Sequence, residues 1–278
     1  EELGKRIDRL GEHIQRRWSV QGDPFLDDMI FSWGERLSSL SLSYILKSKG
    51  LDSVPLTSEE AGLAAVGMPG NGSAELNITY GNFQSRVAPV IRQGAIPVLT
   101  GYYGCDPQGR PLTFGRGGSD YSASVVAYGL DAHCLEIWTD VNGFMTADPR
   151  AVPEARTIHE MDYGEAAELA YFGAKVLHPR TIEPVRKKNI QLLVKNTFDP
   201  DGRGTTIRNL RNPSKDLLRS VAVKCDLSII KVYSSEIVYQ PELVSKLLNS
   251  IADGINTYAV STSLSTLAVV IPTPSVTG

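Results

Sequence analysis

Residues 115–120, with the sequence Gly-Arg-Gly-Gly-Ser-Asp, place three glycines, a guanidinium and a carboxylate directly before a predicted helix. A glycine-rich turn at a helix start leaves backbone N–H groups and the positive end of the helix dipole available to an anion. Arg116 adds a planar fork that can bind a carboxylate or a phosphate through two hydrogen bonds. Asp120 is suited either to capping the helix or to interacting with a metal ion or a lysine. The segment therefore predicts anion binding and favours phosphoryl transfer.

Taken alone, this turn is not a specific signal. Glycine-rich turns before helices are common, and the spacing differs from the Walker pattern G-x-x-x-x-G-K-[ST]. The competing interpretation is an ordinary tight turn with an aspartate in the first turn of the helix. The rest of the chain has to decide between the two.

The elements that would position the turn alternate between helices and strands. Hydrophobic periodicity predicts helices over residues 1–20 and 26–49, with Glu35 off the apolar stripe of the second. A glycine-rich stretch at residues 67–75 is predicted as a loop. Short apolar runs predict buried strands at residues 95–99, 134–138 and 190–194.

This alternation predicts a three-layer α/β domain with a largely parallel sheet. In such sheets, ligands bind at the carboxyl ends of the strands. Gly101, Arg116 and the pair Thr139-Asp140 all lie at or just beyond predicted strand ends. We therefore expect one ligand site at this edge of the sheet.

The last part of the chain has a different pattern. Residues 199–216 are polar and glycine-rich, and a β-α-β-β pattern follows, which is typical of half to two-thirds of a ferredoxin-like module. We place a domain boundary near residue 212, which predicts one domain over 1–212 and part of a second over 213–278.

Composition narrows the class of protein. The chain has 278 residues and a formal net charge of −3, which gives no electrostatic reason to expect nucleic acid or an anionic membrane as partner. Its three cysteines are far apart and lack a C-x-x-C pair, which favours a reducing compartment, the cytoplasm, over disulfides or a zinc site. Four scattered histidines give no metal cluster. No apolar run reaches the roughly 20 residues that span a bilayer.

Four segments in the same order resemble one family. They are Gly-Glu-Arg-Leu-Ser at 34–38, Gly-Arg-Gly-Gly-Ser-Asp-Tyr at 115–121, Trp-Thr-Asp-Val-Asn-Gly-Phe-Met-Thr-Ala-Asp-Pro-Arg at 138–150, and Phe-Gly-Ala-Lys-Val-Leu-His-Pro at 172–179. Together they resemble aspartate kinases, members of the amino-acid-kinase family. The resemblance covers about residues 30–207 and implies a three-layer αβα, carbamate-kinase-like fold. The last 60 residues resemble the start of an α+β ACT domain.

The resemblance implies transfer of the ATP γ-phosphoryl group to the side-chain carboxylate of L-aspartate, giving 4-phospho-L-aspartate. The acceptor carboxylate is ionised near pH 7, so no general base is needed. A zwitterionic substrate needs a cation for its α-carboxylate and an anion for its ammonium, and Arg116 and Glu35 match the family residues in those roles. Gly117, Gly118 and Ser119 complete the amino-acid site. Asp120 is expected to orient a lysine or a water molecule on Mg²⁺.

The same resemblance implies a nucleotide site. The residues that match it are Thr139, Asp140, Met145, Arg150, Lys175 and Val176. Met145 stands where many relatives carry a tyrosine near the base. Asp140 could instead only cap a turn, Glu35 could be a solvated helix residue, and His178 is expected to be structural.

The chain departs from its relatives at both ends. Aspartate kinases begin with a strand and a Lys-Phe-Gly-Gly-(Ser/Thr) turn whose lysine meets the transferred phosphoryl group, and usually carry two ACT units. Because neither feature is complete here and residue 1 is not Met, we expect a longer protein. A homodimer or higher homo-oligomer through ACT pairing and feedback by lysine or threonine are implied. The alternatives are a non-catalytic amino-acid sensor and a kinase for acetylglutamate or glutamate.

Overall fold

The fold opens with two long helices in a computed structural model that describes residues 2–20, 22–173, 176–210, 219–237, 239–252 and 257–273. Helix α1 spans Glu2–Ser19 and helix α2 spans Pro24–Ser48. Asp23 caps α2, because its side chain accepts a hydrogen bond from the Phe25 N–H, and Pro24 occupies the first turn, where its missing N–H costs nothing. Both helices predicted from the hydrophobic periodicity of the sequence are confirmed.

A first α/β unit follows. Strand β1 (Ser53–Leu56) pairs in parallel with β4 (Ile96–Leu99). The elements between them are α3 (Ser58–Ala61), β2 (Ala65–Met68), β3 (Asn71–Ala74), α4 (Leu76–Arg86) and α5 (Ala88–Arg92). Two more short strands, β5 (Tyr103–Cys105) and β6 (Pro111–Thr113), then form an antiparallel pair.

The loop predicted at residues 67–75 is wrong, because β2 and β3 form a hairpin there. Gly70 has a φ of +79° at its turn. A Cβ at Gly72 would lie 3.1 Å from the Leu112 side chain, so these glycines serve a close approach between strands and not a loop.

A second α/β unit begins at α6 (Gly118–Gly129). It continues with β7 (Cys134–Thr139), β8 (Glu160–Met161), α7 (Tyr163–Phe172), a short 3-10 helix (Pro179–Thr181), α8 (Ile182–Lys187), β9 (Gln191–Asn196) and β10 (Thr205–Ile207). Its sheet has the order β7-β9-β10-β8, with β7 and β9 parallel. The capping box predicted at the start of α7 is present, because Asp162 and Glu165 each accept from the other's backbone N–H.

The parallel strands therefore lie in two sheets among the described residues, where one largely parallel sheet was predicted. Strands β4 and β7 are each an edge strand of their sheet in the described part of the chain. A groove of about 340 Å³ lies between them. The end of β4, one face of α6 and the start of β7 line this groove. Helix α6 thus joins the two units, and its N-terminus lies beside both.

The C-terminal part is a small α+β unit. Strands β11 (Leu227–Tyr233), β12 (Ala259–Thr262) and β13 (Thr266–Pro272) form an antiparallel sheet of order β11-β13-β12. Helix α9 (Pro241–Ala252) packs on one face through Val244, Leu247 and Leu248. The β-α-β-β pattern is confirmed, while the boundary predicted near residue 212 lies outside the described residues.

Contacts join this unit to the second α/β unit. Arg219 forms an ion pair with Glu165, and the Val221 N–H donates to the Thr146 carbonyl. The Tyr171 hydroxyl donates to the Thr257 carbonyl. Searched over the described residues, no helix is both long and apolar enough to cross a membrane.

Candidate active site

The glycine-rich turn has the backbone geometry of an anion site. Gly115 and Gly117 have φ values of +69° and +70°, and α6 starts at Gly118. Gly117 is the N-cap residue and supplies no side-chain cap. Within the described residues, the N–H groups of Ser119 and Asp120 have no hydrogen-bond partner. Two free N–H groups at a helix start, with the helix dipole behind them, favour a negatively charged ligand.

Replacing Gly117 by alanine should cost more than the φ value alone explains. A Cβ at Gly117 would collide with the Cβ of His178, whereas a Cβ at Gly109, with φ of +76°, would meet open space. We expect Gly109→Ala to lower the unfolding free energy by about 1 kcal/mol. Gly117→Ala should lower it by about 2–4 kcal/mol, measured by denaturant unfolding. Equal losses of unfolding free energy in the two variants would show that the His178 side chain can move aside at no cost.

Glu35 and the start of α6 form two walls of one site. The Glu35 carboxylate is half-buried, and its Oε2 atom lies 3.9 Å from the position a Cβ would take on Gly101. That same position lies 3.8 Å from the Ser119 Cα and 3.1 Å from the Ser122 Oγ. Helix α2 thus brings Glu35 to the N-terminus of α6 across the end of β4. No ion pair of the Glu35 carboxylate occurs among the described residues.

Arg116 and Ser119 are exposed on the turn itself. Arg116 has no carboxylate partner in the described part of the chain, so its guanidinium is available to a ligand. Judged on those same residues, the site presents an unpaired cation and an unpaired anion near one helix start. Such a pair complements the α-carboxylate and the ammonium of an amino acid.

Asp120 is a half-buried carboxylate that lacks a partner among the described residues. Burial is the only cause that shifts its pKa, and it raises the pKa above 3.8. A carboxylate in this condition is stabilised when a cation arrives beside it. The role predicted for it from the sequence, contact with a lysine ammonium or with a water molecule on Mg²⁺, stays a prediction.

The residues matched to the nucleotide site begin at the last residue of β7 and continue into the segment after it. The Thr139 hydroxyl donates to the Asp140 carboxylate over 3.2 Å, and Asp140 is exposed. Arg150 is exposed and pairs with Asp148 at 2.7 Å. Met145 is half-buried, and its carbonyl accepts from the Ser220 hydroxyl. No hydrogen bond or ion pair in the described part of the chain joins these side chains to Arg116 or Glu35.

Two further residues of this predicted site lie in the segment after α7. Val176 packs against the apolar core of the second α/β unit. Lys175, the predicted phosphate ligand, lies outside the described residues.

Sequence reasoning missed Asp28. It is buried, and its carboxylate accepts hydrogen bonds from the Gly70 N–H and from both the N–H and the hydroxyl of Thr113. It ties the β2–β3 hairpin to the strand that leads into the glycine-rich turn. Its position in an otherwise amphipathic helix gave no signal, because its partners lie as far as 85 residues away along the chain.

Sequence comparison decides the family. Residues 4–196 match the model of the amino acid kinase family, which is well over half of the chain. The chain belongs to the amino acid kinase family. The three-layer αβα fold is thereby confirmed.

This amino acid kinase is similar to several aspartokinases. It is 31% identical to lysine-sensitive aspartokinase 3 of Escherichia coli, over 94% of this chain and 60% of that protein. It is 35% identical to the aspartokinase of Geobacillus stearothermophilus, over 91% of this chain and 61% of that one. A bifunctional aspartokinase/homoserine dehydrogenase of Buchnera aphidicola is 37% identical over 81% of this chain and 27% of its own length. The chain thus spans between about a quarter and three-fifths of these relatives.

Solved structures of aspartokinases also superpose on this chain. Escherichia coli aspartokinase III in complex with aspartate and ADP, described as the R-state, superposes with a TM-score of 0.86 at 28% identity, over 99% of this chain and 61% of that one. The same enzyme in complex with lysine and aspartate, described as the T-state, gives 0.77 at 27% identity, over 98% and 60%. The match to the kinase family predicted from four motifs is confirmed.

A pH-dependent stability is expected from His178 in this amino acid kinase. Burial, followed by the nearby Arg180 and Arg116 guanidinium groups, lowers the pKa of His178 below 6.5. The unfolded chain therefore binds more protons than the folded chain just below pH 6.5, so the unfolding free energy should fall as the pH drops through that value.

His178→Gln should flatten this slope when unfolding free energy is measured between pH 5 and 7. His13 contributes in the same direction, because burial and Arg36 lower its pKa also, so some slope should remain. The exposed His133→Gln serves as the control. An identical slope in His178→Gln and the unmodified protein would contradict this account.

Proposed function

We propose that this amino acid kinase transfers the γ-phosphoryl group of ATP to the side-chain carboxylate of L-aspartate. The product would be 4-phospho-L-aspartate, at the first step of lysine, threonine and methionine biosynthesis. The observation that carries the proposal is the pair Arg116 and Glu35, a cation and an anion without protein partners in the described residues, near the N-terminus of α6. The similarity to an aspartokinase solved with aspartate and ADP supports it.

The amino acid would be held by its two charged groups. Arg116 would bind the α-carboxylate through its two-pronged guanidinium, and Glu35 would accept from the ammonium. Gly117, Gly118 and Ser119 would complete this site, with Gly117 and Gly118 packed against His178 and Tyr102 so that the turn presents the free Ser119 N–H. This arrangement leaves the side-chain carboxylate free to act as nucleophile, and since it is already ionised at pH 7, the site needs no base.

The reaction then depends on positioning and on cancelling negative charge. The free N–H groups of Ser119 and Asp120 and the dipole of α6 would stabilise negative charge that spreads over the transferred group. Asp120 would orient a cation at the same place. Neither role requires a catalytic histidine.

ATP would bind at the carboxyl end of β7 and in the segment after α7. We assign Thr139, Asp140, Met145, Arg150, Lys175 and Val176 to it. Mg²⁺ is the usual bridge between nucleotide phosphates and supplies charge neutralisation there. The carboxylate of Asp120, which has no partner among the described residues, fits a role in holding a water molecule of that ion.

The groove between β4 and β7 supports a further part of this proposal. Both strands are edge strands in the described part of the chain. The end of β4, the start of β7 and an apolar face of α6 line the groove between them. We propose that a strand carrying the family's Lys-Phe-Gly-Gly-(Ser/Thr) turn fills it. That strand would join the two sheets and bring its lysine to the phosphoryl group near Asp120.

The C-terminal α+β unit would regulate the kinase. We propose an ACT-like regulatory domain over 213–278, lysine or threonine as its effector, and a homodimer or higher homo-oligomer formed by ACT pairing. The similarity to an aspartokinase solved with lysine supports an amino-acid effector. The three free cysteines suit a reducing compartment such as the cytoplasm.

The test is an assay of ADP release by the full-length protein with aspartate, glutamate and acetylglutamate in parallel. We expect ADP release that depends on aspartate and not on the other two. Release with acetylglutamate or glutamate alone would assign a different carboxylate kinase. No release with any of the three, with ATP and Mg²⁺ present, would favour a non-catalytic amino-acid sensor.

A further inference from the structure

We propose that Arg180 is a positioning residue that fixes the turn carrying Arg116. The proposal rests on the function proposed above. Arg180 lies in the short 3-10 helix (Pro179–Thr181) of the second α/β unit, a few residues after Val176. Its side chain, however, makes its contacts in the first α/β unit and at the start of α6.

Arg180 contacts the residues that flank one side of the glycine-rich turn. Its Nη1 donates to the Phe114 carbonyl over 3.0 Å, immediately before Gly115. Its Nη2 donates to the Gly72 carbonyl over 2.7 Å and to the Ser73 hydroxyl over 3.0 Å. The guanidinium also stacks on the Tyr121 ring, 4.4 Å from its centroid. One half-buried side chain thus holds the hairpin, the turn and the first turn of α6 together.

The backbone of the turn is braced at the same points. A Cβ at Gly115 would lie 2.8 Å from the Gly70 carbonyl oxygen, which belongs to the hairpin that Arg180 binds. His178, two residues before Arg180, packs directly on Gly117. The segment 178–180 therefore touches the turn before and after Arg116. A shift of this segment would also move the Arg116 backbone, because Gly115 and Gly117 are in close contact with Gly70 and His178.

Lysine could not replace this side chain fully. The three acceptors are served by two different nitrogens of a planar group, and the ring contact uses its face. A lysine ammonium is a point charge that reaches fewer of these partners. A conservative change should therefore give a partial effect.

The experiment compares Arg180→Gln and Arg180→Lys in the full-length protein, with Arg186→Gln as the control. Arg186 is an exposed arginine in the adjacent helix α8. We expect Arg180→Gln to raise the KM for aspartate about 10- to 100-fold, since small displacements of positioning groups have effects of that size. The KM for ATP should change less than about twofold, and Arg180→Lys should lie between Arg180→Gln and the unmodified protein.

Hydrogen–deuterium exchange gives a readout that needs no activity. The hydrogen-bonded amides of Phe114, Gly118 and Tyr121 should exchange faster in Arg180→Gln, while the core strand β9 should keep its protection. Should the unmodified protein show no aspartate-dependent ADP release, the proposed function fails and the exchange result still decides the role of Arg180.

Two results would overturn the proposal. One is a loss of kcat in Arg180→Gln with both KM values unchanged, which would mean only a smaller folded fraction. The other is unchanged exchange at the amides of Phe114, Gly118 and Tyr121 in both Arg180 variants. Arg180→Lys keeps the charge, so it remains a test if Arg180→Gln does not fold.

Discussion

Replacing Arg116 by alanine should raise the KM for L-aspartate at least a hundredfold. Arg116 is exposed, has no partner carboxylate in the described residues, and lies between Gly115 and Gly117, which pack against Gly70 and His178. A hydrogen bond to a charged group is worth about 1.5–3 kcal/mol, and the guanidinium can form two with one carboxylate. Since about 1.4 kcal/mol is tenfold in affinity, two such bonds exceed a factor of one hundred.

The measurement is steady-state ADP release by the full-length protein over a range of aspartate concentrations. Arg116→Lys should give an intermediate KM, because it keeps the charge and loses the fork. Arg92→Ala, at an exposed arginine at the end of α5, should leave the KM unchanged. An unchanged KM for aspartate in Arg116→Ala would remove Arg116 from the substrate site.

Replacing Asp120 by asparagine should separate activity from stability. We expect kcat to fall by a factor on the order of 10²–10³, as happens when one preorganised polar group at a reacting centre is lost. Stability of the ligand-free protein should not fall with it. The carboxylate is half-buried with no partner in the described residues, so a neutral isostere should raise the unfolding free energy at pH 7 by about 1 kcal/mol.

The pH dependence gives a second readout for Asp120. Because burial raises its pKa above 3.8, the folded chain binds more protons than the unfolded chain just above pH 3.8. The contribution of Asp120 to stability therefore declines as the pH rises through that window, and Asp120→Asn should remove the decline. Asp201→Asn, at an exposed position, is the control. A kcat within twofold of the unmodified enzyme would show that Asp120 has only a structural role.

The two predictions test different parts of the site. Arg116 should act on the affinity for the amino acid, while Asp120 should act on the chemical step. A protein that lost affinity for aspartate in Asp120→Asn and kcat alone in Arg116→Ala would have these roles reversed. Either result would still leave the fold and the family as they are.

Local features were predictable from the sequence because their causes are local. The glycine-rich turn, the helix that follows it and the capping box of α7 depend on residues within about four positions of one another. The helical stripes of α1 and α2 follow from the 3.6-residue period. Residue types and spacing therefore marked Arg116, Gly117 and Asp120 as candidates, and the resemblance carried by the four motifs gave them their predicted roles.

The hairpin at β2 and β3 could not be predicted in this way. Glycine-rich segments are typical of loops, and only the neighbouring strand β6, with Leu112 against Gly72, makes an extended conformation favourable.

The sequence by itself determined the chemistry available at the helix start and, through four ordered motifs, the family. Tertiary structure alone decided that Asp28 and Arg180 brace the turn, and it showed how Glu35, assigned to the amino acid by the resemblance, comes near this helix start. The reason is distance along the chain: Asp28 meets Thr113 across 85 residues, and Arg180 meets Gly72 across 108. Such contacts leave no periodicity or spacing in the sequence, because they form only when separate elements pack together.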